Sequence, residues 1–263
     1  MSDRVTVSLA RGIADVRLNR PDKLNALDAA MFEALVATGR GLFAERGLRA
    51  VVLSGEGRGF CAGLDVASFM GGGGGRSMFE RGAESPANFA QRAAWIWTEL
   101  SVPVIAAIHG VAFGGGLQIA LGADVRFVTP DARLSVMEIK WGLIPDMSGS
   151  QTLRRLVRLD VAKELTFTGR VVSGTEAAAL GLATHVSDTP REAALELARE
   201  IAAKSPSAIR AGKKLLDTSG VVDVETGLRL EEQLQSDLLG KPDQVEAVRA
   251  NAQKREPRFT GPD

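Results

Sequence analysis

The sequence is short of several things that chemistry is often built from. It has one cysteine, Cys61, in 263 residues, so no disulfide closes within one chain and a cysteine-rich zinc site is excluded. Two histidines, His109 and His185, argue against a multi-histidine metal centre. Net charge is also missing, with 32 Lys and Arg set against 32 Asp and Glu. The basic excess of a nucleic-acid surface is therefore absent, and a chain with no net charge is free to self-associate. No stretch approaches the roughly 20 apolar residues that span a bilayer. Residues 1–10 carry charges and lack the apolar run of a signal peptide. The expectation is a soluble cytoplasmic protein, a homo-oligomer, with no nucleic-acid, membrane or metal partner.

What is present fits a folded globular chain: hydrophobic residues make up 45% and charged residues 24%. The length suits one α/β domain with a trailing helical segment, divided as residues 1–200 and 201–263. Val5, Val7 and Leu9 alternate with polar residues, and Ile13, Val16 and Leu18 do so less regularly across Arg11-Gly12, which predicts an antiparallel hairpin. Asp28 reads as the N-cap of a helix through Phe32, Leu35, Val36 and Leu42. Residues 50–53 and 102–108 read as buried strands, residues 86–100 as a helix and residues 125–128 as a strand. From Ser148 onward seven helices are expected, near residues 150–157, 161–166, 175–180, 190–203, 206–217, 224–238 and 244–254. Residues 71–75 are five consecutive glycines, which predict a mobile loop, read as an inert surface insertion ahead of a lid.

Two glycine-rich segments carry the functional signal. Gly59-Phe60-Cys61-Ala62-Gly63-Leu64-Asp65 follows a predicted strand, and His109-Gly110-Val111-Ala112-Phe113-Gly114-Gly115-Gly116-Leu117-Gln118 runs from a buried strand into a helix. Small residues at such turns let a ligand approach the backbone, and the first N–H groups of a helix have no internal partner. Two such N–H groups aimed at one oxygen form an oxyanion hole, typically about 3 kcal/mol of transition-state stabilisation per donor. Tight packing of helices on strands uses glycine in the same way, so each segment alone is weak. Neither has the Lys-Ser/Thr of a Walker loop or the spacing of the dinucleotide fingerprint.

Taken together, the motifs resemble the crotonase (enoyl-CoA hydratase/isomerase) family over nearly the whole chain. Arg20-Pro21-Asp22-Lys23-Leu24-Asn25-Ala26-Leu27 is similar to its first signature, near the CoA moiety. Phe60-Cys61-Ala62-Gly63-Leu64-Asp65 and Val111-Ala112-Phe113-Gly114-Gly115-Gly116-Leu117 are similar to its two oxyanion-hole segments. Glu138-Ile139 with Gly142-Leu143-Ile144-Pro145 resembles its third block. Leu165-Thr166-Phe167-Thr168-Gly169 and the Ala177 to Leu182 region resemble its later helical elements. The resemblance implies an α/β spiral of ββα units with C-terminal helices that build a trimer or a hexamer. It implies an acyl-CoA thioester ligand bound near Lys23, Leu24, Ala26, Ala62, Gly63, Leu64, Asp65, Gly114, Gln118 and Trp141. The implied oxyanion donors are the N–H groups of Ala62 and Gly115, and no cofactor is implied beyond the CoA of the substrate.

The acid–base residues set the chemistry. Hydratases of this family use two glutamates; the matching positions here are Gln118 and, twenty residues later, Glu138. A glutamine hydrogen-bonds but cannot accept a catalytic proton. Asp146, eight residues after Glu138, gives the chain an acidic pair resembling that of the dienoyl-CoA isomerases, although Gln118 stands where their aspartate is found. Two carboxylates in one apolar pocket raise each other's proton affinity, so one can be acid while the other is base. Three readings follow: double-bond isomerisation by Glu138 and Asp146, hydration by Glu138 with Gln118 placing water, and acyl-CoA binding with little turnover. Read without the resemblance, Glu138 pairs with Arg133 or Lys140 at the surface and Asp146 caps the helix after Ser148. Cys61 is expected to be a buried small hydrophobe, His109 and His185 to be structural, and Lys254 and Arg255 to form a solvated face.

Overall fold

A computed structural model describes residues 4–70 and 77–260; the glycine run at 71–75 lies outside the described residues. The strands are β1 (Val5–Ala10), β2 (Ile13–Leu18), β3 (Ala50–Gly55), β4 (Val104–Ile108), β5 (Val111–Phe113), β6 (Val125–Val128), β7 (Arg133–Ser135), β8 (Val172–Ser173) and β9 (His185–Val186). The helices are α1 (Ala29–Phe43), α2 (Val66–Met70), α3 (Phe89–Glu99), α4 (Gly115–Leu121), α5 (Gly149–Leu156) and α6 (Leu159–Thr168). They continue as α7 (Gly174–Leu180), α8 (Pro190–Ala202), α9 (Pro206–Ser219), α10 (Val224–Leu238) and α11 (Pro242–Ala252).

The expected hairpin is β1–β2, paired from Val5↔Leu18 to Ala10↔Ile13. Its two-residue turn has positive φ at both Arg11 and Gly12, the backbone twist that suits a tight hairpin. From β2 onward the large sheet is parallel, in the order β1-β2-β3-β4-β6-β9. β2 alternates poorly because it is covered on both faces, as inner parallel strands are. Val51, Leu53, Ala106 and Ile108 face Phe32, Leu35, Ile96 and Trp97 of α1 and α3. The intervening residues Ala50, Val52, Ile105 and Ala107 face Ala194 and Ala198 of α8. Each large apolar side chain so enclosed contributes about 1.5–3 kcal/mol.

The second sheet, β5-β7-β8, has three short strands. It explains the spiral implied by the resemblance: β4 lies in the large sheet, β5 in the small one and α4 follows, and β6, β7 and α5 repeat the pattern one turn later. Isolated pairings extend the small sheet to the earlier turns, Cys61 to Ala112 and Leu27 to Leu64. Strands β5, β7 and β8 have two or three residues each, too short for a periodic signal.

Helix ends follow their capping residues. Asp28 accepts the Met31 N–H at 2.8 Å, as expected. The helix expected from residue 86 begins instead at Phe89, because Asn88 and Gln91 close a reciprocal capping box. Helices α5 to α11 fall within three residues of their expected starts. α9 is tied to the core by Lys213, which donates to Asp124 at 2.7 Å and to the Val102 carbonyl at 3.2 Å. α10 contains no buried residue. Among the described residues no helix is long and apolar enough to cross a membrane.

Candidate active site

The two glycine segments meet. Phe60 and Cys61 donate to the carbonyls of His109 and Val111, and Phe113 donates back to Cys61. The first segment is zipped on its other side to residues 24–27. Ala62 donates to the Leu24 carbonyl at 2.9 Å, Leu27 to Gly63 at 2.8 Å and Asp65 to Leu27 at 3.0 Å. This pairing corrects one expectation: the Ala62 N–H is already taken by Leu24 and is not available to a ligand. In a ladder of this kind successive N–H groups point to opposite sides. The Leu64 N–H, between the bonded Gly63 and Asp65 peptides, faces away and has no acceptor among the described residues.

Gly115 supplies the other N–H. Gly114 turns the chain from β5 into α4 at φ 50°, ψ −121°, a conformation open to glycine. Gly115 is the first helical residue, so its N–H has no partner within the helix, and none appears elsewhere among the described residues. Gly63, at φ 85°, lies against this turn; a Cβ on it would come within 2.6 Å of the Phe113 carbonyl and 3.7 Å of the Gly115 nitrogen. Leu64 and Gly115 thus present two unengaged N–H groups from adjoining peptides.

The acid–base residues converge on the same turn. Glu138 opens the 3-10 turn Glu138–Trp141 and is 9% exposed. A Cβ on Gly114 would lie 3.2 Å from its Oε1, so the carboxyl rests against the glycine turn. It forms no pair with Arg133 or Lys140; its Oε1 accepts from Gln118 Nε2 at 2.6 Å. The buried Oε2 has no partner among the described residues. Burial raises the Glu138 carboxyl above its ordinary range, the Gln118 bond opposes this, and the Asp146 charge raises it further. Gln118, which bonds Glu138 and also accepts the Met147 N–H next to Asp146, ties the segments of the two carboxylates together.

Asp146 sits at the rim, open to solvent, yet the flanking protein raises its carboxyl by desolvation. It caps nothing: the N-cap of α5 is Ser148, with no side-chain bond. Gln118, 2% exposed, accepts the Met147 and Gly149 N–H groups at 2.8 Å each on its Oε1. Both of its polar ends are therefore engaged.

Around this centre, Lys23 is exposed and Leu24 and Ala26 are half-buried on the strap that carries the first signature. Asp65 bonds Arg20 at 2.8 Å, and Trp141 is 56% exposed with Lys140 Nζ over its ring. Cys61 is fully buried, and its thiol is pushed up to about 12 by burial; it donates to the Asn25 carbonyl at 3.0 Å. His109 bonds the Gly57 carbonyl at 2.9 Å, and His185 stacks beside Phe127. Arg255 is paired with Glu246 at 2.6 Å. No group of three metal-ligating side chains occurs among the described residues.

Sequence reasoning missed Asn25 and Arg20. Asn25 is buried at φ 56° and donates to the Glu56 and Gly59 carbonyls while accepting the Arg20 N–H. Arg20 bonds Asp65 and the Ala26 carbonyl. Together they hold the strap to the Cys61–Asp65 loop and so fix the direction of the Leu64 N–H. The available signal was an asparagine inside a turn, the residue that best tolerates a left-handed backbone after glycine.

The sequence profile of the enoyl-CoA hydratase/isomerase family matches residues 8–262. Mitochondrial methylglutaconyl-CoA hydratase of Mus musculus is 33% identical over 261 residues, covering 95% of this chain and 80% of the relative. A probable mitochondrial enoyl-CoA hydratase 2 of Arabidopsis thaliana is 35% identical over 254 residues, covering 95% and 82%. The crystal structure of enoyl-CoA hydratase from Bacillus anthracis superposes with a TM-score of 0.90 at 32% identity, covering 98% of this chain and 100% of that one.

Proposed function

The chain belongs to the enoyl-CoA hydratase/isomerase family, the crotonases, and from that premise we propose that it moves a double bond in an enoyl- or dienoyl-CoA through an enolate. The thioester oxygen lies between the Leu64 and Gly115 N–H groups. Glu138 removes a proton from the carbon that the thioester acidifies, and the electron pair passes into the carbonyl. The enolate collapses as a proton is returned at the remote carbon, from Glu138 or from Asp146. Every step is a proton transfer, so the reaction calls for no cofactor beyond the CoA of the substrate. The observation that carries this reading is the Glu138 carboxyl: buried, raised in proton affinity, and with an unengaged Oε2 beside the Gly114-Gly115 turn.

Hydration is the second reading, and the names of the relatives favour it. Glu138 Oε2 would then activate the water, and Gln118, whose Nε2 keeps one N–H after bonding Glu138 Oε1, would help to place it. The two readings separate in heavy water, with a mixed panel of 2-enoyl-, 3-enoyl- and 3,5-dienoyl-CoA thioesters followed by mass spectrometry. Deuterium gain with double-bond movement supports isomerisation; gain of one water makes the protein a hydratase. No change across the panel, with CoA ester binding retained, leaves acyl-CoA binding without this chemistry. We also propose a homotrimer or a dimer of trimers, supported by exposed Val224 and Leu228 on α10, and checked by sedimentation.

A further inference from the structure

Gln118 has a task that its chemistry as a non-acid does not reveal. Two backbone donors, Met147 N–H and Gly149 N–H, converge on one end of its carboxamide at 2.8 Å each. That end must be the oxygen, since a nitrogen there would face two N–H groups. The nitrogen is therefore turned to Glu138 Oε1, at 2.6 Å. The side chain projects from α4, the helix whose first residue provides the Gly115 N–H. One buried amide thus links that helix to the Glu138 carboxyl and to the turn that carries Asp146.

We infer that Gln118 is a positioning residue: it engages Oε1 of Glu138, leaves Oε2 as the oxygen that carries the proton, and fixes the Asp146 turn to the same helix. The inference rests on the reading of Glu138 as the proton carrier. Gly149 supports it, because a Cβ there would come within 2.7 Å of Gln118 Oε1, so the turn is packed onto the amide. The Gln118 bond also favours the ionised form of Glu138, against burial and the Asp146 charge. Asp146 is the charged group whose field reaches Glu138. Of the other charges on elements around it, Lys140 lies over Trp141 and Arg133 over Phe113. On α6, Asp160 pairs with Arg158 and Glu164 with Arg170, and α4 itself carries no charge.

Two variants divide the roles. Gln118→Met keeps the length and removes both donor and acceptor. Gln118→Glu keeps an acceptor for the two N–H groups and replaces the donor with a second carboxylate, which must share a proton with Glu138 at this distance. The pH dependence of kcat in the heavy-water exchange assay is measured for both, with acyl-CoA Kd by calorimetry. The acid limb should move to higher pH in both variants, by about one unit, a tenfold rise in proton affinity, and further in Gln118→Glu. In Gln118→Met kcat should fall about tenfold to a hundredfold, while Kd stays within a factor of three. Should Gln118→Met fail to fold, Gln118→Glu carries the test alone, because it preserves both backbone bonds. A folded variant with the wild-type acid limb overturns the inference, whatever its kcat, since a purely structural glutamine would leave that limb in place. Glu138→Gln keeps the two ideas apart. Full turnover in that variant removes the underlying reading, whereas its loss together with unmoved limbs removes only the role of Gln118.

Discussion

The two halves of the site are built from different materials. The half proposed to hold the thioester oxygen is backbone: Leu64 and Gly115 N–H groups set by the pairing of residues 24–27 with 62–65 and by the turn at Gly114. The half proposed to act on the acyl carbons is side chain: Glu138 and Gln118, joined by a hydrogen bond, with Asp146 on the turn that Gln118 also holds. A backbone donor cannot be mutated away, only displaced, and its position depends on many bonds at once. A side-chain acid or base can be changed by one substitution that leaves the fold intact. The first half therefore suits one constant task, holding an enolate, and the second half is where one reaction can be exchanged for another.

Breaking the side-chain half has the largest expected effect. Glu138→Gln should lower turnover by about 10²–10⁴-fold, the span of general acid–base catalysis, with acyl-CoA affinity kept, as checked by calorimetry. Retained turnover would place the chemistry elsewhere. Disturbing the backbone half comes next. Gly63→Ala puts a Cβ 2.6 Å from the Phe113 carbonyl at φ 85°, where backbone must shift and strain costs about 1–3 kcal/mol. Loss of one oxyanion donor by displacement should cost about 10²-fold in kcat, and unlike Glu138→Gln it should also lower the melting temperature. A Gly63→Ala enzyme with wild-type kcat would show that the Leu64 N–H takes no part.

The difference in material also decided what could be read from the chain. Gly63 and Gly114 were visible because positive φ and close approach leave glycine as the residue that fits. Which N–H they free was not visible. Ala62 and Leu64 are two residues apart in one loop, and the choice between them depends on the Leu24 carbonyl, thirty-eight residues earlier in the chain. Glu138 and Asp146 could be named from spacing, but the burial of Glu138 and the partial desolvation of the rim residue Asp146 arise only once the turn is folded. The same limit explains the missed strands: β5 and β7 are three residues long and exist because each pairs with the other, not because either has a pattern. Strands β2 to β4 and the capped helices α1 and α3 were legible, β4 and α1 from apolar runs and Asp28, with Asn88 moving the start of α3 by three residues.

Within the side-chain half, Asp146 should separate the two chemistries. Asp146→Asn removes a remote proton carrier and leaves Glu138 in place. Double-bond migration should fall by about tenfold to a hundredfold, and hydration, if present, should change little. Equal loss of both activities would make Asp146 a contributor to binding or folding, and loss of neither would leave Glu138 as a single shuttle.

The smallest effect is thermodynamic and follows from the direction in which Glu138 is shifted. Its carboxyl is raised in the folded protein, with burial the first cause, so the folded state holds its proton more tightly than the unfolded chain does. Stability from this group is complete below the ordinary carboxylate value of 4.5 and is lost as pH rises through the raised folded value. As pH rises above the ordinary carboxylate value this contribution is progressively lost, and Glu138→Gln, which has no proton to lose, escapes that loss. The variant should melt above the wild type at pH 7, by about 2–4 °C for each kcal/mol relieved, and the difference should vanish below the ordinary carboxylate value. Calorimetry at pH 7 and at pH 4 measures both. Gly63→Ala should lower the melting temperature at both pH values, because steric strain does not titrate; if Glu138→Gln were equally insensitive to pH, its carboxyl would not be held as a buried charge.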